Sequence, residues 1–146
     1  MIQSPLFAGG VTPPATRRQF RALTVCQPFA ELIARGEKRV ENRSWPTAHV
    51  GPLYIHAGKS RLHLDGQATP EGLVFGAVIA RVEVVACVRL EKLRRDRSSQ
   101  FDDFRWLIDD PHAFGPWCWV LENPVRVGPW PCAGKQGLWW FDAPES

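Results

Sequence analysis

The longest regular pattern in the chain is an alternation of period two between residues 74 and 90. Val74, Gly76, Val78, Ala80, Val82, Val84, Ala86, Val88 and Leu90 are small or apolar, and Arg81, Glu83 and Arg89 stand among the positions between them. Successive side chains on a strand point to opposite faces, so this span predicts one long bent strand or two strands meeting at a corner. Shorter runs predict further strands at 22–25, 38–45, 51–57, 117–122 and 138–141, with Asn123-Pro124 ending the fourth and 129–137 forming a loop. Helical spacing is brief. Pro28 suits a first turn, Phe29, Leu32 and Ile33 make an apolar stripe, and Gly36 supplies a stop, which predicts a helix over 27–35. Ser99 followed by Asp102 and Asp103 predicts a second helix with Phe101, Phe104, Leu107 and Ile108 on its apolar face. Between strand and helix lies a basic stretch, Arg89 to Arg97. Five to six strands with two short flanking helices imply a mainly β (α+β) chain that pairs non-locally, as a β-barrel does.

Composition narrows the class. A chain of 146 residues is the size of one domain, with 45% hydrophobic and 23% charged residues. Residues 1–19 read as a flexible N-terminal leader in which Arg17 and Arg18 could touch phosphates, 20–142 as the domain, and 143–146 as a tail. No apolar run approaches bilayer length and no secretory start is visible, so the expectation is a cytoplasmic chain with no membrane partner. The net charge of +3 is compatible with a polyanionic partner without requiring one. Cysteines stand at 26, 87, 118 and 132 without a Cys-x-x-Cys pair, so neither metal nor disulfide framework is expected. No serine-hydrolase elbow, phosphate loop or zinc-protease motif occurs, and no cofactor is implied.

The candidate chemistry follows Gly36. In a strand, Arg39, Glu41 and Arg43 share one face, whereas Lys38 has the wrong parity and joins them only from the turn after the helix or from a bulge. Lys and Arg offer donors to phosphate or carboxylate, and Arg can do so as a fork. Glu41 could accept from a base amino group or orient a water. The plain alternative is a surface ion-pair cluster holding the turn. His56 and Tyr54 share a strand face with Lys59 just beyond, and could border the same cleft. Of the seven Trp residues, those at 117, 119, 139 and 140 lie in strand patterns that suit a core, and Trp45, next to the 36–43 segment, is the candidate for base stacking.

These blocks resemble a known family. Ala22 through Ala30, then Gly36, Lys38, Glu41 and Arg43 in the pattern Gly-x-Lys-x-x-Glu-x-Arg, are similar to the ASCH domain. The continuations Ser44-Trp45-Pro46-Thr47, His56-Ala57-Gly58-Lys59, Gly115-Pro116-Trp117 and Lys135 through Trp139 extend the likeness over 20–142. The resemblance implies a PUA-like β-barrel with flanking helices. It also implies a basic cleft lined by the signature that takes RNA or a nucleotide-like ligand, with Lys38, Glu41, Arg43, Trp45, His56 and Lys59 as binding candidates. A small bacterial relative hydrolyses N-acetylcytidine with a Lys and a Thr of the signature region and a distant Glu. Here the Lys is Lys38, while Glu41 occupies the Thr position and removes that nucleophile. Two readings stay open: a binding domain, or a hydrolase (an amidohydrolase on a modified nucleoside, or a ribonuclease) in which Lys38 and Glu41 form the catalytic pair. Oligomeric state is left open.

Overall fold

The computed structural model describes residues 18–64 and 71–144. Its strands are β1 (Arg18–Val25), β2 (Val40–Arg43), β3 (Gly51–Ala57), β4 (Ala77–Arg89), β5 (Trp117–Pro131) and β6 (Leu138–Ala143). Two α-helices, α1 (Phe29–Ala34) and α2 (Leu90–Arg95), and two 3-10 segments, Leu62–Leu64 and Ser99–Asp109, complete the described elements. The expected leader lies outside the described residues as far as 17, and residues 18 and 19 already belong to β1. Among the described residues no helix is long and apolar enough to cross a membrane.

The six strands form one sheet in the order β2-β5-β4-β3-β1-β6. Only β1 and β3 run parallel; every other neighbouring pair is antiparallel. Backbone ladders therefore leave β2 and β6 as edges, and the sheet is not closed by hydrogen bonds. A side chain spans part of the gap: Arg43 on β2 donates from Nη2 to the Thr24 carbonyl at the end of β1, 2.8 Å away.

Alternation places the core. Leu23, Leu53, Ile55, Val82 and Trp119 share one buried cluster with Ala30 and Ile33 of α1, so this helix fills the hollow of the curled sheet. Ala22, Tyr54, Val78, Trp139 and Phe141 form a second cluster on the opposite face. Val40, Val88, Leu90, Leu93, Leu107 and Cys118 make a third, where α2 and the long 3-10 segment cover one end.

The alternating span is one strand, β4, bent by register shifts against β5 and β3, the first of the two forms its patterning allowed. Two other regions depart from the sequence patterning. Asn123-Pro124 does not end β5. Arg81 pairs with Val125 and Glu83 with Glu122, so Asn123 and Pro124 together face Val82 as a bulge, with Asn123 at φ 53°. The basic stretch folds into α2, because Leu90 and Leu93 give it a buried side, and the segment from Ser99 is 3-10 rather than α.

Candidate ligand-binding cleft

Helix α1 ends where a glycine is required. Gly36 sits at φ 77°, a left-handed backbone that L side chains rarely adopt, and its N–H bonds the Ile33 carbonyl. The next two amides, of Glu37 and Lys38, both donate to the Leu32 carbonyl, and this wraps the chain back across the helix end. Lys38 consequently lies in the turn, not in β2, and its side chain points inward at only 4% exposure. The parity problem posed by the sequence is resolved in this way.

Glu41 is the hub. Its Oε1 accepts from Lys38 Nζ at 3.0 Å, and its Oε2 accepts from Arg43 Nε at 3.0 Å and Nη2 at 2.7 Å. Lys38 Nζ also donates to the Val40 carbonyl. An ammonium has three donors, so among the described residues one stays unpaired. Arg43 Nη1 has no protein partner among the described residues, and its two N–H donors are the second available set. Two cations against one carboxylate leave a local excess of one positive charge, which favours an anion.

These groups line an open cleft of about 550 Å³, together with Thr24, Val25, Cys26, Phe29, Asn42, Ser44, Trp45, His63 and Phe114. Its walls are aromatic. Trp45 stands edge-on against Trp119, ring centroids 4.9 Å apart, and His63 packs edge-on against Phe29 at 5.4 Å. Phe114 is 74% exposed at the rim. Asn42, facing away from Glu41 on the same strand, holds that rim: its Oδ1 accepts from the amides of Phe114 and Gly115, and its Nδ2 donates to the His112 carbonyl.

Of the residues expected at the site, Lys38, Glu41, Arg43 and Trp45 come together here. Arg39 does not join them; its guanidinium lies over the Trp106 ring, 4.2 Å from the centroid. Lys59 does not line the cleft; it is exposed, with its aliphatic stem against Gly76. His56 does not reach it either, being 2% exposed behind Thr24. Its Nε2 lies 2.8 Å from the Cys132 carbonyl, which can only accept, so that nitrogen carries the proton. In the neutral ring Nδ1 can then accept the single Thr24 hydroxyl proton at 3.2 Å, for which the Lys135 carbonyl at 3.3 Å competes, while Trp139 Nε1 donates to the same oxygen at 3.3 Å. Gly134 closes over this network so tightly that a Cβ there would lie 2.5 Å from Thr24 Oγ1. His56 thus serves the strand whose carbonyl holds Arg43.

Burial raises the thiols of the buried Cys118 and the half-buried Cys87 and Cys132 above the ordinary value, which suits inert structural cysteines. Among the described residues no group of three or more His, Cys, Asp or Glu side chains could hold a metal ion.

The sequence model of the ASCH domain matches residues 23–128, well over half of the chain and all of the signature. The chain belongs to the ASCH domain family. Activating signal cointegrator 1 from Homo sapiens is 32% identical over 107 residues, and its Mus musculus counterpart is 31% identical over the same length. Each alignment covers 63% of this chain but only 18% of the relative, so the likeness concerns one ASCH-sized part of a much longer protein. Among solved structures, the crystal structure of ASCH from Zymomonas mobilis superposes with a TM-score of 0.51 at 18% identity, over 83% of this chain and 86% of that one. That agreement is one of fold. The barrel-like sheet and its few helices are those of an ASCH, PUA-like domain, and residues 38–43 lie within the matched span.

Phe29, Asn42, His63 and Phe114 were missed by sequence reasoning. Phe29 reads as part of a core stripe, and Asn42 is hidden between signature residues. Phe114 lies in an aperiodic turn, where no pattern separates a rim residue from a spacer.

Proposed function

We propose that this ASCH domain binds single-stranded RNA or a nucleotide-like ligand in the cleft, with an anionic group on Arg43 and Lys38 and a base against the aromatic walls. The observation that carries this reading is the convergence of Lys38, Glu41 and Arg43 on one open space, with the Arg43 Nη1 donors unpaired among the described residues. Guanidinium forks suit phosphate, and exposed or half-exposed aromatic rings suit unstacked bases. Glu41 then acts as a positioning group that holds both cations. Because both of its oxygens already accept, its geometry favours binding over a role in placing water for hydrolysis.

Arg43 is the variant to test. Lys38 is nearly buried, and unpairing a buried ion of this kind costs about 3–5 kcal/mol of stability, which would confuse folding with binding. Arg43→Ala leaves Glu41 paired with Lys38. In fluorescence anisotropy with a labelled short single-stranded RNA, this variant is expected to bind about tenfold more weakly. The slope of log K against log salt should fall by about 0.7 for each lost phosphate contact. Equal affinity and an equal slope in wild type and variant would remove the cleft as the RNA site.

A further inference from the structure

On the sheet face opposite α1, a second pocket of about 460 Å³ is lined by Tyr54, Arg81, Glu83, Asn123, Val127 and Trp130, among others. Its origin is the β5 bulge. Asn123 and Pro124 oppose the single residue Val82, so β5 bows beside Glu83, and the left-handed Asn123 marks the rim.

The pocket contains a polar group whose needs the protein does not meet. Glu83 Oε2 is shielded from solvent and, among the described residues, accepts no hydrogen bond. A carboxylate oxygen in that position is costly until a donor reaches it. The terminal torsion of Glu is soft, so the carboxylate can turn both oxygens towards a pair of donors. Aromatic surface flanks it: the Tyr54 and Trp130 rings stand 6.1 Å apart, and Trp130 is stacked on Phe141 at 5.9 Å. The cation of the pocket, Arg81, is braced on the Phe20 ring at 5.5 Å.

We propose that this face carries a second ligand site, separate from the cleft, that takes a guanine nucleotide. Guanine is the common base whose edge presents two adjacent N–H donors, N1–H and the 2-amino group, which matches a carboxylate bidentately. Its ring suits the half-buried Trp130 at the pocket wall, behind which Tyr54 is packed as floor, and Arg81 supplies the charge for the phosphate. A guanidinium ligand offers similar donors but is disfavoured, because Arg81 lines the same pocket and repels it.

The test is titration of the intact chain with GMP, IMP and AMP, followed by tryptophan fluorescence and calorimetry. IMP is GMP without the 2-amino group, so the wild-type comparison needs no mutation. GMP is expected to bind about tenfold more tightly than IMP or AMP, the discrimination of one good bidentate pair. Glu83→Gln should abolish that preference while melting like wild type. Arg43→Ala should leave it intact, which separates this site from the cleft. Equal affinities for the three nucleotides, an unchanged GMP preference in Glu83→Gln, or no GMP binding at millimolar concentration would each overturn the proposal.

Discussion

At the scale of single residues, carboxylates organise this molecule. Glu31 on α1 accepts two hydrogen bonds from Arg126 on β5, at 3.0 and 2.6 Å, and a third from Arg35 at 2.8 Å. The Arg126 hydrogen bonds, followed by that of Arg35, hold its pKa below the ordinary 4.5 against the opposing effect of burial. A carboxylate whose folded-state pKa is depressed stabilises the fold above its unfolded value, and that contribution is lost as pH falls through the folded value. Glu31→Gln is therefore expected to lower stability by about 1–2 kcal/mol near neutral pH. In urea melts followed from pH 7 downward, the gap between variant and wild type should narrow only below pH 4.5. A gap that stayed constant to pH 3 would show that charge is not what Glu31 contributes. Glu41 has the same design, one carboxylate between two cations, but is placed where a guest can reach the cations.

At the scale of elements, β2 works with both of its faces. Glu41 and Arg43 look into the cleft, while Asn42, on the other face, pins the turn that carries Phe114. Asn42→Ala unpairs two amides and a carbonyl, each only partly shielded, so a loss of about 1–3 kcal/mol is expected. Hydrogen exchange should show faster exchange at the Phe114 and Gly115 amides while β4 is unaffected; unchanged protection at those amides would mean that Asn42 does not hold the rim. Elements with clean periodicity were legible in the sequence: β3 matches its predicted bounds, and β4 is the bent strand that the alternation from Val74 to Leu90 requires. The closeness of Lys38, Glu41 and Arg43 in sequence made their clustering legible, while parity left Lys38 either the turn after the helix or a bulge, and it takes the turn. What was not legible depends on tertiary partners. Asn123-Pro124 carries the signals of a strand end, yet β4 continues alongside and converts the break into a bulge. His56 looks available on a strand face until the 132–139 segment folds over it. Trp140 alternates like a core residue but lies 56% exposed under the Arg21 guanidinium.

At the scale of the whole molecule, the cleft lies where the sheet fails to close. Its edge strand β2 faces the end of β1 across a gap filled partly by α1 and bridged by Arg43. A ladder there would have consumed backbone donors and acceptors and left no cleft; a side-chain bridge leaves a cavity with a cation at its wall. The opposite face, floored by aromatic rings and carrying Glu83, is a separate surface. The most direct measurement is a chemical-shift titration of the isotope-labelled chain with a short single-stranded RNA. Perturbed amides are expected to cluster at 24–26, 41–45 and 113–115, and in Arg43→Ala the same perturbations should need about tenfold more RNA to develop. Perturbations confined to other surfaces, or undiminished in Arg43→Ala at the same RNA concentration, would contradict this reading.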